Sequence, residues 1–196
     1  MKNNIETFEK ISTNLRYELI KLIHKTKTSH LGSSLSCIDI LVGIYFSKNG
    51  IGSNANNKKN LKNTFILSKG HAAPALYVVL ERKKYISKKM LNTYSKPKSY
   101  LEEHPNININ GVLVSSGSLG HGLSYAAGMS LADKITKKNN KHIVLMSDGE
   151  CNEGSVWEAA MFASHNKLNN LCVIIDVNKI QIDGYTKEIL NSGDVT

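Results

Sequence analysis

The chain has 196 residues, of which 41% are hydrophobic, so it is long enough for one domain with a substantial core. Its formal net charge is +9, but the lysines form scattered pairs without interleaved aromatic residues, which argues against nucleic-acid binding. No apolar run approaches the roughly 20 residues of a membrane span, and three cysteines in no metal-binding pattern favour a reducing compartment. We therefore expect a soluble cytoplasmic domain over residues 1–196, with neither nucleic acid nor membrane as partner.

Apolar spacing and chain breakers predict the elements of the first half. Leu15, Leu19 and Leu22 recur at helical spacing, which predicts a first helix near residues 5–25. Further along, the pattern favours a helix, a surface loop through Asn63, a short strand and another helix. Their expected ranges are 34–46, 47–63, 64–68 and 70–82.

The second half begins with a long segment, 95–118, that has no regular pattern and is therefore expected to be functional or disordered. A helix over 119–138 should follow, and close packing is a plausible reason for Gly128 within it. Two apolar runs, 142–147 and 171–177, flank a helix that we expect to begin near Ser155, where Ser155 and Glu158 fit a capping box.

Continuous apolar runs joined by a helix are typical of buried parallel strands with a right-handed crossover. The predicted fold class is α/β, with three α/β/α layers around a mostly parallel sheet. The crossover helix carries Trp157 and Met161 on a second apolar side, so we expect a sheet beneath it and, above it, a partner subunit.

An Asp-Gly turn follows the first of these strands, and an Asn follows the second. Carboxyl ends of parallel strands meet at one sheet edge, where α/β sheets bind ligands. Asp148, the side-chain oxygen of Asn178 and the carbonyl of Ile180 would provide oxygen ligands for Mg²⁺, and a diphosphate would provide the others. Taken singly, either side chain is more simply an ordinary turn or capping residue; it is the combination that favours a metal site.

Four segments stand out, in chain order TSHLGSSLS, LSKGHAAPALY, GVLVSSGSLGHG and DGECNEGSVWEAAMFASHNKLNNLCVIIDVNKIQIDG. They resemble signatures of transketolases in the order expected for that family, and the resemblance extends over nearly the whole chain. The last segment is the most specific, and it is similar to the thiamine-diphosphate motif of the family. The resemblance is greatest to the small N-terminal subunit of split transketolases, and it implies a thiamine-diphosphate-binding fold.

The resemblance also implies the roles of individual residues. It implies that the catalytic residues, which line the substrate channel or link paired active sites, are His30, His71, His104 and Glu153. It implies cofactor contacts from His71, Gly117, Ser118, Leu119, Asp148, Gly149, Glu150 and Asn178, and metal ligands Asp148, Asn178 and Ile180. Glu153 could instead simply favour the positive end of the following helix. His121 stands where the family usually has Gln, and its role stays open.

The implied cofactors are thiamine diphosphate and Mg²⁺, with Ca²⁺ or Mn²⁺ as substitutes. The family's pyrimidine-binding domain is absent, so we expect a partner subunit that supplies it, in an alpha2beta2 assembly acting on sugar phosphates. The chain also stops soon after the IDG turn, which we interpret as a C-terminal truncation, a fragment or a split subunit.

Two departures keep other functions open. Leu31 replaces the Pro that is usual in the first histidine motif, and HLGSSL resembles deoxyxylulose-phosphate synthase, which is a distant second choice for the function. Ser147 replaces the first Gly of the family's GDG turn. The other alternative is a truncated, non-catalytic homologue that acts only as an interaction protein.

Overall fold

In a computed structural model, residues 2–47, 51, 63–182 and 184–193 are described. They form two compact units, one comprising Met1–Asn60 with Gly70–Ser115 and the other Leu61–Lys69 with Ser116–Thr196. Most of the predicted surface loop before Asn63 lies outside the described residues. The assignment of residues 1–196 to one functional domain stays a prediction.

The first unit is helical. Its helices are α1 (Lys2–Thr26), α2 (Leu31–Ser36), α3 (Ile38–Phe46), α4 (Ala73–Arg82) and α5 (Lys88–Leu91), and a 3-10 turn, Gly70–Ala72, leads into α4. Helix α4 is buried from Ala73 to Leu80, and α1 packs against both α3 and α4. An apolar surface all round α4 is what a central helix requires.

The expected helix over 34–46 is wrong in one respect. The structure has two helices there, and Cys37 lies between them with φ −99° and ψ 3°, outside the helical range. The Cys37 thiol donates toward the Ser34 carbonyl, and the residue is fully buried. Apolar periodicity alone cannot reveal such a break, because both helices bury the same kind of side chain.

The second unit contains a parallel sheet in the order β1 (Asn63–Leu67), β2 (Lys141–Ser147), β3 (Leu171–Asp176). Helix α6 (His121–Ile135) packs on the sheet, and α7 (Gly154–His165) packs on α6. A small hairpin, β4 (Ile180–Gln181) with β5 (Gly184–Tyr185), and α8 (Thr186–Ile189) follow. The α/β class and the parallel sheet are confirmed.

Two expected local features of this unit are wrong. Helix α7 has Glu153 as its N-cap and no side-chain cap, so Ser155 and Glu158 form no capping box. Ser147 and Glu150 form one instead, at the start of the preceding 3-10 helix, Asp148–Asn152. Nothing lies within 4 Å of a Cβ built on Gly128, so close packing does not explain that glycine. The close approach is at Gly122, where a Cβ would lie 2.4 Å from the Ser68 side chain.

Residues 92–120 contain no helix or strand, as predicted. Within the first unit this segment is held by side chains: the Tyr77 hydroxyl donates to the His104 carbonyl at 2.9 Å, and the Asn110 amide donates to the Tyr85 carbonyl at 3.0 Å. Bonds of this kind satisfy backbone groups that no helix or strand pairs.

Four helices are followed by a lysine in the left-handed conformation, a position where glycine is usual. These residues are Lys27, Lys84, Lys137 and Lys167, with φ between 51° and 64°. At three of these ends the next N–H closes the helix, donating from Tyr85 to Leu80, from Lys138 to Asp133 and from Leu168 to Ala163.

No helix in the described part of the chain is long and apolar enough to cross a membrane.

Candidate active site

The turn after β2 is tied to the turn after β3 through Asp148. The residue is only 4% exposed. Its Oδ2 accepts hydrogen bonds from the Lys179 N–H at 2.9 Å and from the Thr186 hydroxyl at 3.2 Å. Its Oδ1 accepts one from the Gly149 N–H at 3.1 Å. The two turns that the sequence predicts at one sheet edge are therefore in direct contact.

Asn178 and Ile180 lie on the second of these turns. The Asn178 side-chain oxygen accepts the Ile180 N–H at 2.9 Å, and Lys179 between them is left-handed, with φ 63°. The described residues contain no group of three or more His, Cys, Asp or Glu that could hold a metal. A carboxylate, an amide oxygen and a backbone carbonyl are a different donor set, one that suits Mg²⁺ completed by phosphate oxygens. The residues present therefore fit a magnesium diphosphate.

Glu150 organises the interior beside this turn. Its carboxylate is fully buried and accepts three hydrogen bonds: from the Ser68 hydroxyl at 2.5 Å, the Gly120 N–H at 2.9 Å and the Ser147 N–H at 2.9 Å. These donors come from the segments after β1, before α6 and at the end of β2. Glu150 thus holds the residue next to Gly117–Leu119, three exposed residues predicted to meet the cofactor.

A buried ion pair lies at the same end of the sheet. Lys69 follows β1 and is fully buried, and its Nζ donates to Oδ2 of Asp176, the last residue of β3, at 2.5 Å. The Asp176 carbonyl in turn accepts the Asn178 N–H at 3.0 Å. Sequence reasoning missed this pair. Its only signals are a lysine in the LSKGH motif and an acid closing an apolar strand.

Burial raises the pKa of the Cys151 thiol, and the neighbouring Glu150 and Asp148 carboxylates raise that pKa further. The thiol is therefore held in its neutral, unreactive form. Cys151 packs as a small hydrophobic residue in this turn rather than serving as a nucleophile.

In the first unit, the structure brings together two of the predicted histidines. The rings of His30 and His71 have centroids 5.4 Å apart and are tilted by 52°. His30 has a left-handed backbone, with φ 67°, and the preceding Ser29 hydroxyl donates to Glu103 at 2.9 Å, beside His104. The segments that carry His30 and His104 are therefore joined within this unit.

The family can be decided by comparison with known proteins. Residues 8–196 match the family model described as the transketolase thiamine diphosphate binding domain. The chain is 42% identical over 187 residues to a subunit of the apulose-4-phosphate transketolase of Phocaeicola vulgatus, covering 95% of this chain and 66% of that subunit. It belongs to the transketolase family.

The chain is also similar to other members of the transketolase family. The 6-deoxy-6-sulfo-D-fructose transketolase subunit SqwG of Clostridium sp. strain MSTE9 is 39% identical, over 89% of this chain and 64% of that subunit. The crystal structure of Campylobacter jejuni transketolase superposes with a TM-score of 0.87 at 27% identity, covering 95% of this chain and 30% of that one. The chain thus spans about two thirds of the length of these split transketolase subunits.

The remaining residues that the transketolase resemblance implies lie on exposed positions of the second unit. Glu153 is the exposed N-cap of α7, without a side-chain cap, and a Cβ on Gly120 would lie 2.7 Å from the Glu153 Cβ. His121 is the exposed first residue of α6. Gly120 before it has φ 79°, which is why this helix starts later than the apolar pattern predicts.

Proposed function

We propose that this chain is the diphosphate-binding subunit of a two-chain transketolase. The observation that carries the proposal is the bond between Asp148 and Lys179, because it joins the two turns that bear the predicted metal ligands. Asp148, Asn178 and Ile180 hold Mg²⁺, and Gly149 leaves room for the diphosphate beside them. Glu150 does not contact the metal; it accepts the Gly120 N–H and so fixes the turn that meets the rings of the cofactor.

When bound, thiamine diphosphate supplies the carbon nucleophile and the electron sink for cleaving a ketose between C2 and C3. The chain's own residues bind it, orient it and handle protons. His30 and His71 move protons at the hydroxyl and ketone oxygens of the sugar, which imidazole can do near neutral pH, and His104 assists them. A two-carbon ketol unit is thereby transferred to an aldose acceptor.

The substrate class follows from the relatives. Their names specify sugars that carry a phosphate or a sulfo group. We propose the same class, a ketose with an anionic group, as donor for this chain. The three cysteines form no disulfide bond in the described part of the chain, which supports a cytoplasmic location.

A partner subunit is part of the proposal, because the relatives are named as subunits of transketolases. Helix α7 supports this, since three of its large apolar side chains are exposed: Trp157 by 49%, Met161 by 66% and Phe162 by 42%. Surfaces of that kind mark sites of protein association. Glu153 lies at the start of the same helix and would link paired active sites in an alpha2beta2 assembly.

Titration calorimetry tests the proposal. The chain, purified with a pyrimidine-binding subunit, is titrated with thiamine diphosphate in the presence and in the absence of Mg²⁺. We expect binding only with Mg²⁺, and at least about 100-fold weaker binding by Asp148→Ala. Asp39→Ala, which removes an exposed carboxylate paired with Arg16, is the matched control and should bind like the wild type. Metal-independent binding, or an Asp148→Ala variant with unchanged affinity, would refute the proposal and favour a non-catalytic interaction protein.

A further inference from the structure

Gln181 carries a buried amide nitrogen, Nε2, for which the described residues offer no hydrogen-bond partner. Buried polar side-chain atoms in native proteins nearly always have a partner, and each exception calls for an explanation. A donor left unpaired inside a protein costs free energy unless a ligand, ion or water satisfies it. An acceptor that is not one of the described residues would satisfy this donor, and because Nε2 has almost no exposed surface, the Gln181 side chain must rotate slightly for such an acceptor to reach it.

The position of Gln181 narrows the identity of that acceptor. The residue follows directly on the Asn178–Ile180 turn, and in β4 it pairs with Gly184. Its side chain lies over Gly149: a Cβ built there would lie 3.2 Å from Cγ of Gln181 and 3.6 Å from Nε2. The unpaired donor is thus beside the turn that we expect to approach the diphosphate.

The chemistry of the two groups is complementary. Diphosphate oxygens only accept hydrogen bonds, and bonds to charged acceptors are shorter and stronger than neutral ones. An amide donates without placing a second positive charge next to the metal, so it does not compete with the ion for the Asp148 carboxylate. Gly149 also gains a second reason to be glycine, because a side chain there would displace the Gln181 amide.

We propose that Gln181 is a further cofactor-binding residue, whose Nε2 donates a hydrogen bond to the diphosphate of thiamine diphosphate. This inference rests on the proposed function, since it needs the diphosphate at the Asp148 turn. It gives the chain a diphosphate contact from β4 in addition to the predicted contacts from the Asp148 and Asn178 turns.

The test compares Gln181→Ala and Gln181→Glu with the wild type by calorimetry, using thiamine diphosphate with Mg²⁺ and, separately, inorganic pyrophosphate with Mg²⁺. We expect roughly 10- to 100-fold weaker binding of both probes by Gln181→Ala. Gln181→Glu has nearly the same shape but adds a negative charge, so it should bind more weakly still. Asn169→Ala removes an exposed amide before β3 and should bind both probes like the wild type.

The outcomes separate the two claims. No magnesium-dependent binding by the wild type would refute the proposed function. Wild-type binding together with Gln181→Ala and Gln181→Glu affinities within about twofold of it would refute only the Gln181 contact, and would mean that water satisfies the amide. Far-UV circular dichroism shows whether each variant is folded. If Gln181→Ala does not fold, the nearly isosteric Gln181→Glu provides the test of the contact.

Discussion

Two buried polar clusters lie at opposite ends of the same parallel sheet, and they differ in what they leave available. The amino-end cluster consists of Thr64, Asp133, Asn140 and His142. The carboxyl-end cluster consists of Ser68, Lys69, Asp148, Glu150 and Asp176. Both contain acids held by short hydrogen bonds inside one unit of the molecule.

The amino-end cluster is closed. Nδ1 of His142 lies 2.8 Å from the Thr64 hydroxyl, its Nε2 lies 3.0 Å from Oδ2 of Asp133, and the Asn140 amide donates to the same oxygen at 2.9 Å. A hydroxyl, an imidazole and a carboxylate in series resemble a nucleophilic relay. Thr64 and His142 are nevertheless 5% and 2% exposed, so a substrate cannot reach them. This cluster holds strands together.

The carboxyl-end cluster combines buried acids with the turn that we propose to receive a ligand. Glu150 and the Lys69–Asp176 pair are closed in the same way, yet beside them lie the exposed Gly117–Leu119 and the unpaired amide of Gln181. We therefore place the proposed function at the carboxyl end and not at the closed relay of the amino end.

The largest expected effect at the carboxyl end comes from Lys69→Met. This change leaves the buried Asp176 carboxylate without its cation and should lower the free energy of unfolding by about 3–5 kcal/mol. Lys141→Met, at the exposed amino end of β2, should change it by less than about 0.5 kcal/mol. Urea unfolding of both variants makes the comparison, and a small loss for Lys69→Met would show that this pair does not support the sheet edge.

A pair of glycine variants on α6 isolates the close approach to Ser68. Gly122→Ala puts a methyl group into the Ser68 side chain and should cost about 3 kcal/mol. Gly128→Ala, on an exposed and unobstructed position of the same helix, should instead stabilise by about 0.5–1 kcal/mol. Thermal melts report both signs. Equal effects of the two substitutions would argue against a tight contact between α6 and the segment after β1.

Asp133→Ala tests whether the amino-end cluster is only structural. It removes the partner of His142 Nε2 and of the Asn140 amide and should cost about 2 kcal/mol of unfolding free energy, while magnesium-dependent thiamine-diphosphate binding stays unchanged. Glu158→Ala, which removes an exposed acid from α7, is the control for stability. If Asp133→Ala weakened cofactor binding as much as Asp148→Ala is expected to, the amino and carboxyl ends of the sheet would be energetically coupled. The amino-end cluster could then not be called purely structural.

The smallest effect concerns pH. The pKa of the Cys151 thiol is raised above its ordinary 9.0, chiefly by burial, so the folded chain holds this proton more tightly than the unfolded chain. The resulting stabilisation is complete below pH 9.0 and is lost as the pH rises through the folded-state value. Relative to Cys151→Ala, wild-type stability should fall slightly as the pH rises above that value. Urea unfolding across this range measures the difference, and a rise instead of a fall would contradict the assignment.

Apolar periodicity predicts the parallel strands and most of the helices, because each strand and each helix buries a characteristic pattern of apolar side chains. The proximity of the Asp148 and Asn178 turns can also be predicted, since strand ends of a parallel sheet share an edge. The Lys69–Asp176 pair could not be, because it joins residues 107 positions apart whose proximity depends on strand order. The two candidate capping-box sequences show the same limit: Ser147 and Ser155 both have a Glu three residues later, and only packing decides which one caps.

The lysines after the helices bear on how the net charge arises. A left-handed backbone costs a residue with a Cβ about 1–2 kcal/mol, whereas a cation next to the negative end of a helix regains about 0.3–1 kcal/mol. The favourable interaction with the helix end therefore offsets only part of the cost of a left-handed lysine at Lys27, Lys84, Lys137 and Lys167. Each of these four charges has a favourable neighbour within the chain, the carboxyl end of the helix that it follows, so they do not by themselves indicate a polyanionic partner.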